Sequence, residues 1–552
     1  MPGPLSRDRD PLTTSANVSE DGSGSGSLLV ADEDSGPAPA VSSAPVGKKR
    51  QPRVYTVRVV LSGLILAAVA LAAAAYLPAQ LVGGMFVLVS IVVVCHRALF
   101  SWTGLLVALV CIILFIPVRR LKLPIPLPFA LEPYRFIIVL LILAVVISLL
   151  VDPRFSWRRT GFGSAFALLF CAFGLSIATN VEGLSLGGRL GGSAGAVFNY
   201  AMLFSVFFLT RILLTSENKV NLVLRLLTLG GAIIGVAGAV ERVLRINVFL
   251  SLGSALQLQR MSEGAELLRS GGARAYGSAQ HPIALSVLLA MLIPLAVYQA
   301  KHSVWPRTSG RRQVFWVGCA VLMGIGIICS VSRTSLVVLA VMAVVGVLAR
   351  PALFKRLIFV GIPAAALASL IAPGVVLTMI RGFLDPTTLI ASQYTSAGFR
   401  GSGRLADLGP NLTAAMMHPF FGTGLSSRVS SGPGTNAQIL DNQLLNTLLE
   451  VGILGVLGVC VLFWYPIVRL WRFSRSPSTP AKFTDLAVAV LTAMVGYFVS
   501  LFFFDGFGFM QTVMVFAILL AIGGWLITEV PWTEKPRRKR AAAPAPASPV
   551  DP

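Results

Sequence analysis

The sequence predicts an all-α integral membrane protein, a polytopic bundle of about fourteen transmembrane helices with two long external loops, and three observations carry that prediction. Of 552 residues, 55% are apolar and only 12% are charged, and the mean hydropathy is +0.80, a balance that excludes a soluble globular chain. Apolar stretches of roughly 17–25 residues, each long enough to cross a ~30 Å hydrocarbon layer as a helix, recur from Val59 to Ile527. The net charge of +22 gathers beside those stretches: Lys48, Lys49, Arg50 and Arg53 precede the first, while Arg537, Arg538, Lys539 and Arg540 follow the last. Membrane spans carry such flanks, and no stacked-aromatic or nucleic-acid motif accompanies them, so no nucleic-acid partner is expected.

Residues 1–50, with runs such as SEDGSGSGS, cannot bury enough apolar area to offset chain entropy and read as a disordered cytoplasmic tail. No cleavable signal precedes the first apolar run, which is therefore expected to be an uncleaved anchor. Residues 51–195 supply the N-terminal transmembrane helices, expected at about 58–77, 79–95, 97–117, 135–151 and 162–178. The segment 196–530 supplies the core, with spans expected at about 196–214, 222–242, 281–299, 314–331, 334–349, 357–379, 443–468, 483–504 and 508–528. Residues 531–552 read as a disordered basic cytoplasmic tail.

An even number of spans puts both termini on one face. The cations of 301–312, 350–356, 469–482 and the C-terminal tail share that face, which the positive-inside rule makes the cytoplasmic side of a bacterial plasma membrane. Arg119-Arg120-Leu121-Lys122 breaks the rule, because parity places it outside; it opens a Pro-rich segment that a re-entrant path would also explain. All six cysteines (Cys95, Cys111, Cys171, Cys319, Cys329, Cys460) lie in or at the ends of apolar runs. Neither a disulfide framework nor a zinc site follows from such placement, and no metal is expected.

The external loops, 243–280 and 380–442, are long for an economical bundle, and long loops of this kind are usually functional. Three clusters on the external side carry polar chemistry. Arg274-Ala275-Tyr276-Gly277-Ser278-Ala279-Gln280-His281-Pro282 ends the first loop; Pro282 suits a helix start, Arg274 either snorkels to headgroups or meets an anion, and His281 either caps the helix or serves as a base. Ser332-Arg333-Thr334-Ser335 is a tight polar break between two apolar runs. The second loop holds Gly401-Ser402-Gly403-Arg404 and His418-Pro419-Phe420-Phe421-Gly422-Thr423-Gly424, and ends at Asp441-Asn442-Gln443. Asp441 stands where a polar loop enters a long apolar helix, so its carboxylate is partly desolvated and suits a general base; Asp441 or Asn442 would equally cap that helix. Glu450, about two and a half turns further in, is a costly ionisable group within a span. Every cation assigned outside except Lys122 is arginine, whose planar fork matches phosphate, although a coding preference for arginine gives the same asymmetry.

The set R-A-Y-G-S-x-x-H-P, S-R-T-S, G-S-G-R, H-P-F-F-G-T-G and D-N-Q-x-L-x-x-x-L-E-x-G-x-x-G resembles the O-antigen ligase and O-antigen polymerase superfamily over about residues 200–528. The resemblance implies a GT-C type membrane glycosyltransferase. Such an enzyme takes a glycan from an undecaprenyl-diphosphate carrier at the external face and passes it to an acceptor hydroxyl of a glycan or lipid, with inversion and without metal or other cofactor. It further implies that Arg274, Arg333 and Arg404 hold the donor diphosphate, doing for the leaving group what a divalent cation does elsewhere. Where ligases carry His immediately before Asn at the end of the large loop, this sequence has Asp441, which favours a polymerase or related transferase with Asp441 as base and His281 and His418 as alternatives. Membrane lipids are the remaining expected partner, and a chain-length regulator is left open. Two other readings compete: a cell-wall polymerase of the shape, elongation, division and sporulation class, usually with about ten spans, and a lipid-linked oligosaccharide flippase or other transporter. The flippase requires polar groups along a path through the bilayer, whereas these cluster at one boundary.

Overall fold

The computed structural model describes residues 101–124, 130–152, 155–261, 268–269, 272–371, 373–374, 376–377, 385, 387, 390–391, 404–428 and 440–530. The chain divides into residues 1–69 and 70–552, and the described residues all belong to the second unit. The spans expected at 58–77 and 79–95, and both tails, lie outside the described residues.

A helix overlaps each of the remaining expected spans. These are α1 (Trp102–Phe115), α2 (Pro133–Val151), α3 (Gly163–Thr179), α5 (Leu190–Leu213), α6 (Glu217–Leu244), α8 (Pro282–His302), α9 (Ser309–Cys329), α10 (Arg333–Ala349), α11 (Ala352–Ile371), α13 (Gln443–Ser474), α14 (Ala481–Ser500) and α15 (Met510–Glu529). Three further helices, α4 (Val181–Leu186), α7 (Val248–Ala255) and α12 (Arg404–Met417), lie in connections. Eight of the helices, α2, α5, α6, α8, α9, α13, α14 and α15, are long and apolar enough to cross a membrane, and α1, α3 and α10 are shorter apolar helices. Their starts are written locally. Ser101 Oγ accepts from Gly104 N at 2.9 Å, Pro133 and Pro282 occupy first turns, and Asn442 Oδ1 accepts from Leu445 N at 3.0 Å.

The expectation of helix alone is exceeded by two short ribbons. Strand β1 (Leu121–Lys122) pairs antiparallel with β2 (Gln259–Arg260), and β3 (Leu268–Arg269) with β4 (Gly272–Ala273). The first ribbon forms because Arg119, at φ 59, turns the chain out of α1 and lays it along the 245–261 segment. The arginines that broke the positive-inside pattern therefore sit at the same end of the bundle as the loop expected at 243–280.

At the centre stands α15, enclosed along its whole length, with α8 and α14 almost as enclosed beside it. Around them pack α5 on α15, α10 and α13 on α14, and α9 on α8 and α6. On α2 the outward side chains Val139, Leu143, Ile147 and Leu150 are exposed, as a face toward lipid requires. Where α6 crosses α9, a Cβ on Gly235 would lie 2.3 Å from the Leu322 carbonyl oxygen, so two backbones touch there as small residues allow in membrane bundles.

The end opposite the long loops is tied by ion pairs between helices. Asp485 on α14 lies 2.7 Å from Lys301, 2.8 Å from His302 and 3.1 Å from Arg350. Arg211, fully buried on α5, reaches Glu529 at the foot of α15 at 2.7 Å.

Candidate functional site

The loop-bearing end is assembled from three joints between loops, two of which bear on the turn and first residues of α15. In the first, Arg274 Nε donates to the Ser330 carbonyl at 2.9 Å, and Ala275 N donates to Cys329 O at 3.2 Å. Arg274 is thereby fixed against the turn between α9 and α10 whose next residues are Val331, Ser332 and Arg333. Val331 is buried with φ 49, a left-handed backbone that a β-branched residue adopts only where its surroundings impose it. Arg333 opens α10 with a half-buried side chain. Two arginines far apart in sequence thus share one turn.

The loop carrying Arg274 is clamped from below by Glu241, whose Oε2 accepts from Tyr276 N at 3.2 Å and Gly277 N at 2.7 Å. Asn247 Nδ2 holds the Gly277 carbonyl at 2.9 Å. From the α1–α2 segment, Arg120 lies over the Tyr276 ring, 5.1 Å to its centroid, and donates to Gln280 O at 3.1 Å. Gln280 Oε1 in turn accepts from Met510 N at 2.9 Å, and Gln511 Nε2 bonds Ser278 Oγ at 3.0 Å. Those bonds seat the arginine loop on the head of α15.

The second loop enters by breaking a helix. At Gly452 the backbone of α13 leaves the helical region, φ 75 and ψ −167, and the freed groups are taken up by the H-P-F-F-G-T-G turn. Ile453 N donates to Pro419 O at 2.8 Å, Thr423 N to Leu449 O at 3.0 Å and Gly424 N to Glu450 O at 2.9 Å. A Cβ at Gly452 would lie 2.3 Å from Phe420 O, and one at Gly422 (φ 65) would lie 2.4 Å from the Glu450 carbonyl carbon, so both glycines are required by close backbone contact. The Glu450 carboxylate points back into this joint, its Oε2 accepting from Ser426 N at 3.1 Å.

The third convergence brings the start of α13 to the turn between α14 and α15. Gln443 N donates to Leu501 O at 2.8 Å and Gln443 Oε1 accepts from Phe507 N at 2.8 Å, which holds residues 441–443 against the turn between α14 and α15. Asp505 lies in that turn, half-buried. Burial pushes its carboxyl up to about 6; the Gly508 N–H and Arg119 oppose the rise, and the charge of Asp441 adds to it. Glu132, ahead of α2, is likewise raised by burial against the Arg119 N–H and Arg135. Aromatic walls face Asp505, with Phe507 edge-on to Tyr200 at 6.0 Å and Tyr200 against Phe173 at 5.2 Å.

Residues 318–460 match the family model described as O-Antigen ligase. This segment is similar to the O-antigen ligase family. No curated protein matches the chain. The O-antigen ligase segment runs from α9 into α13 and takes in Arg333, the H-P-F-F-G-T-G turn, Asp441 and the Gly452 break; Arg274, Arg119 and Asp505 lie outside it.

Of the residues singled out from sequence, Arg274 bonds the turn that leads into Arg333 at the start of α10, and Asp441 lies two residues before Gln443, which bonds the turn carrying Asp505. Asn442 caps α13, and His281 Nδ1 accepts from Ile283 N at 3.2 Å as the cap of α8. His418 is exposed, its carbonyl accepting from Gly422 N at 3.0 Å. Arg404 begins α12, and its side chain and Gly401–Gly403 lie outside the described residues. Sequence reasoning missed Asp505, Glu241, Arg119 and Arg120. For the arginines the signal was present as the topological violation. For Asp505 it was the short polar break in F-F-F-D-G-F-G-F between the last two spans.

Proposed function

We propose that the protein is a GT-C type membrane glycosyltransferase. It transfers glycan units from a polyprenyl-diphosphate-linked donor to an acceptor hydroxyl at the external face of the bacterial plasma membrane, with inversion and independently of metal, as a polymerase or ligase. The observation that carries this reading is the gathering of Arg274, the Arg333 turn and the Asp441–Asp505 carboxylates at the one end that also bears the long loops, with the O-antigen ligase segment running through it. Arg274 and Arg333, with Arg404 as a third candidate, neutralise the departing diphosphate, where charge develops as the bond breaks. The acceptor oxygen forms a bond to the anomeric carbon from the opposite side, its proton passes to Asp441, and the carbon–oxygen bond to the diphosphate breaks with the electron pair leaving on phosphate. Asp441 in place of a ligase histidine favours polymerisation.

Membranes containing the protein, supplied with its host's polyprenyl-diphosphate-linked glycan, should release polyprenyl diphosphate as the glycan lengthens, with chelator present. Arg274→Ala and Arg333→Ala should each lower that rate by roughly 10²-fold or more, the scale of losing one charge-stabilising donor. Passage of the intact lipid-linked glycan across the bilayer without a new glycosidic bond would sink the proposal in favour of a flippase.

A further inference from the structure

Between α10 and α11 lies an apolar groove of about 470 Å³ that the transferase reading does not use. Val347 and Leu348 line it from α10, and Phe354, Ile358 and Ile362 from α11; all but Val347 of these are exposed. The space exists because Gly361 contributes no side chain to it, and a Cβ built there would meet nothing within 4 Å. Apolar walls left open on the helices of a membrane bundle face hydrocarbon, so an acyl-like surface fills the groove in place of water.

The groove ends at a turn that carries charge. Arg350 closes α10, and α11 begins two residues later. Its Nε lies 3.1 Å from Asp485 Oδ1, while Asp485 Oδ2 is shared by Lys301 at 2.7 Å and His302 at 2.8 Å. Arg475, at the end of α13, donates to the Leu348 carbonyl in the last turn of α10 at 3.5 Å, with its guanidinium 4.5 Å from the centre of the Trp471 ring. The residue whose side chain walls the groove thus has its carbonyl under an arginine. Against the single carboxylate of Asp485 stand Lys301, Arg350 and Arg475, and the exposed Lys355 follows Phe354 on α11. The Lys301 and Arg350 side chains remain 49% and 38% exposed, so each keeps an open side for a further anion.

We propose that this groove binds an anionic phospholipid, with one acyl chain between α10 and α11 and the phosphodiester against Arg350 and Arg475. Charge complementarity selects the occupant. The guanidinium forks match phosphate oxygens, and the surplus of cations over the one carboxylate is answered by a headgroup of net negative charge, as in basic pockets between membrane helices. A zwitterionic lipid leaves that surplus standing, and a free phosphate leaves the groove unfilled. The site lies at the end opposite the long loops and does not rest on the transferase reading.

The test uses the full chain, purified in mild detergent and stripped of endogenous lipid, with bound lipid counted by native mass spectrometry. The probes are dioleoyl phosphatidylglycerol, dioleoyl phosphatidylcholine and inorganic phosphate. Wild type should hold one phosphatidylglycerol more tightly than phosphatidylcholine. Arg350→Gln and Arg475→Gln should each weaken that binding by about fivefold, the worth of one cation against an anionic headgroup. Gly361→Leu, which puts a side chain into the groove, should weaken it by about tenfold, equivalent to the burial of roughly two methylenes. Arg260→Gln removes a cation at the loop-bearing end, beyond the reach of screened charge, and should leave binding within about twofold. If Arg350→Gln does not accumulate, Arg475→Gln and Gly361→Leu carry the test. Equal retention of the two lipids by wild type, or wild-type affinity in Gly361→Leu, overturns the site. Displacement of the lipid by inorganic phosphate at constant ionic strength would show that the arginines take any phosphate, and it too overturns the assignment to a lipid.

Discussion

Glu241 shows how much of this site hangs on single buried polar atoms. Its Oε2 satisfies two backbone N–H groups of the loop that carries Arg274, and a buried donor left without a partner costs about 1–3 kcal/mol. Glu241→Ala should therefore let the loop shift and lower kcat/KM for the donor by about 10–100-fold, as small displacements of positioned groups do. Glu241→Gln keeps an acceptor oxygen and should lose far less; equal losses in the two variants would show that the clamp is not the cause. Asp505 makes a second prediction at this scale, in stability. Its carboxyl is raised by burial to about 6, above the value of the unfolded chain, so the folded state holds the proton more tightly. The stabilising contribution is complete at acidic pH and disappears as pH rises through about 6. Asp505→Asn should accordingly raise the thermal midpoint in detergent at pH 7.5 more than at pH 5, and a pH-independent change would contradict the assignment. The residue would then be kept for activity at a cost in stability, as functional groups often are.

The elements were legible in the sequence wherever an apolar run of the right length stood between polar breaks. Pro133, Pro282 and Asn442 even marked their starts. What sequence could not convey was which loop meets which. Arg274 and Arg333 are distinct motifs until the Ser330 carbonyl joins them, and Glu241, at the end of a span, reads there as an ordinary boundary charge. The α13 break is the clearest case of two motifs explaining each other. The glycines of H-P-F-F-G-T-G and L-E-x-G occupy left-handed backbone at mutual contact, so neither makes sense alone. Gly452→Ala should lower the thermal midpoint by several degrees, given about 1–3 kcal/mol of strain for such a backbone. Gly318→Ala is the control, because a methyl there meets nothing within 4 Å. A Gly452 variant as stable as the Gly318 variant would mean that the joint relaxes freely.

Across the whole molecule, chemistry and anchoring are segregated to opposite ends. The arginine loop, the α13 break and the Asp505 turn occupy one, and the Asp485 and Glu529 ion pairs bind helices together at the other. The positive-inside rule gives this polarity an expected orientation, with the ion-paired end proposed to be cytoplasmic. An impermeant thiol reagent should label Gln257→Cys on intact cells, and should reach Thr308→Cys only after permeabilisation, with the native cysteines as background. The reverse pattern would invert the topology and place the chemistry in the cytoplasm.

The enclosure of α15 bears on how the protein is made. This helix is the last of those described to leave the ribosome, yet it is the axis on which the others pack, and its head receives Gln280, Ser278 and the Asp505 turn. Earlier helices enter the bilayer with the place of their central partner unfilled, and the arginine loop has nothing to rest on until synthesis is nearly finished. Assembly of this end is thus a late event in biogenesis, and a nascent chain stalled before Met510 holds most of the residues proposed for the site without the support that brings them together.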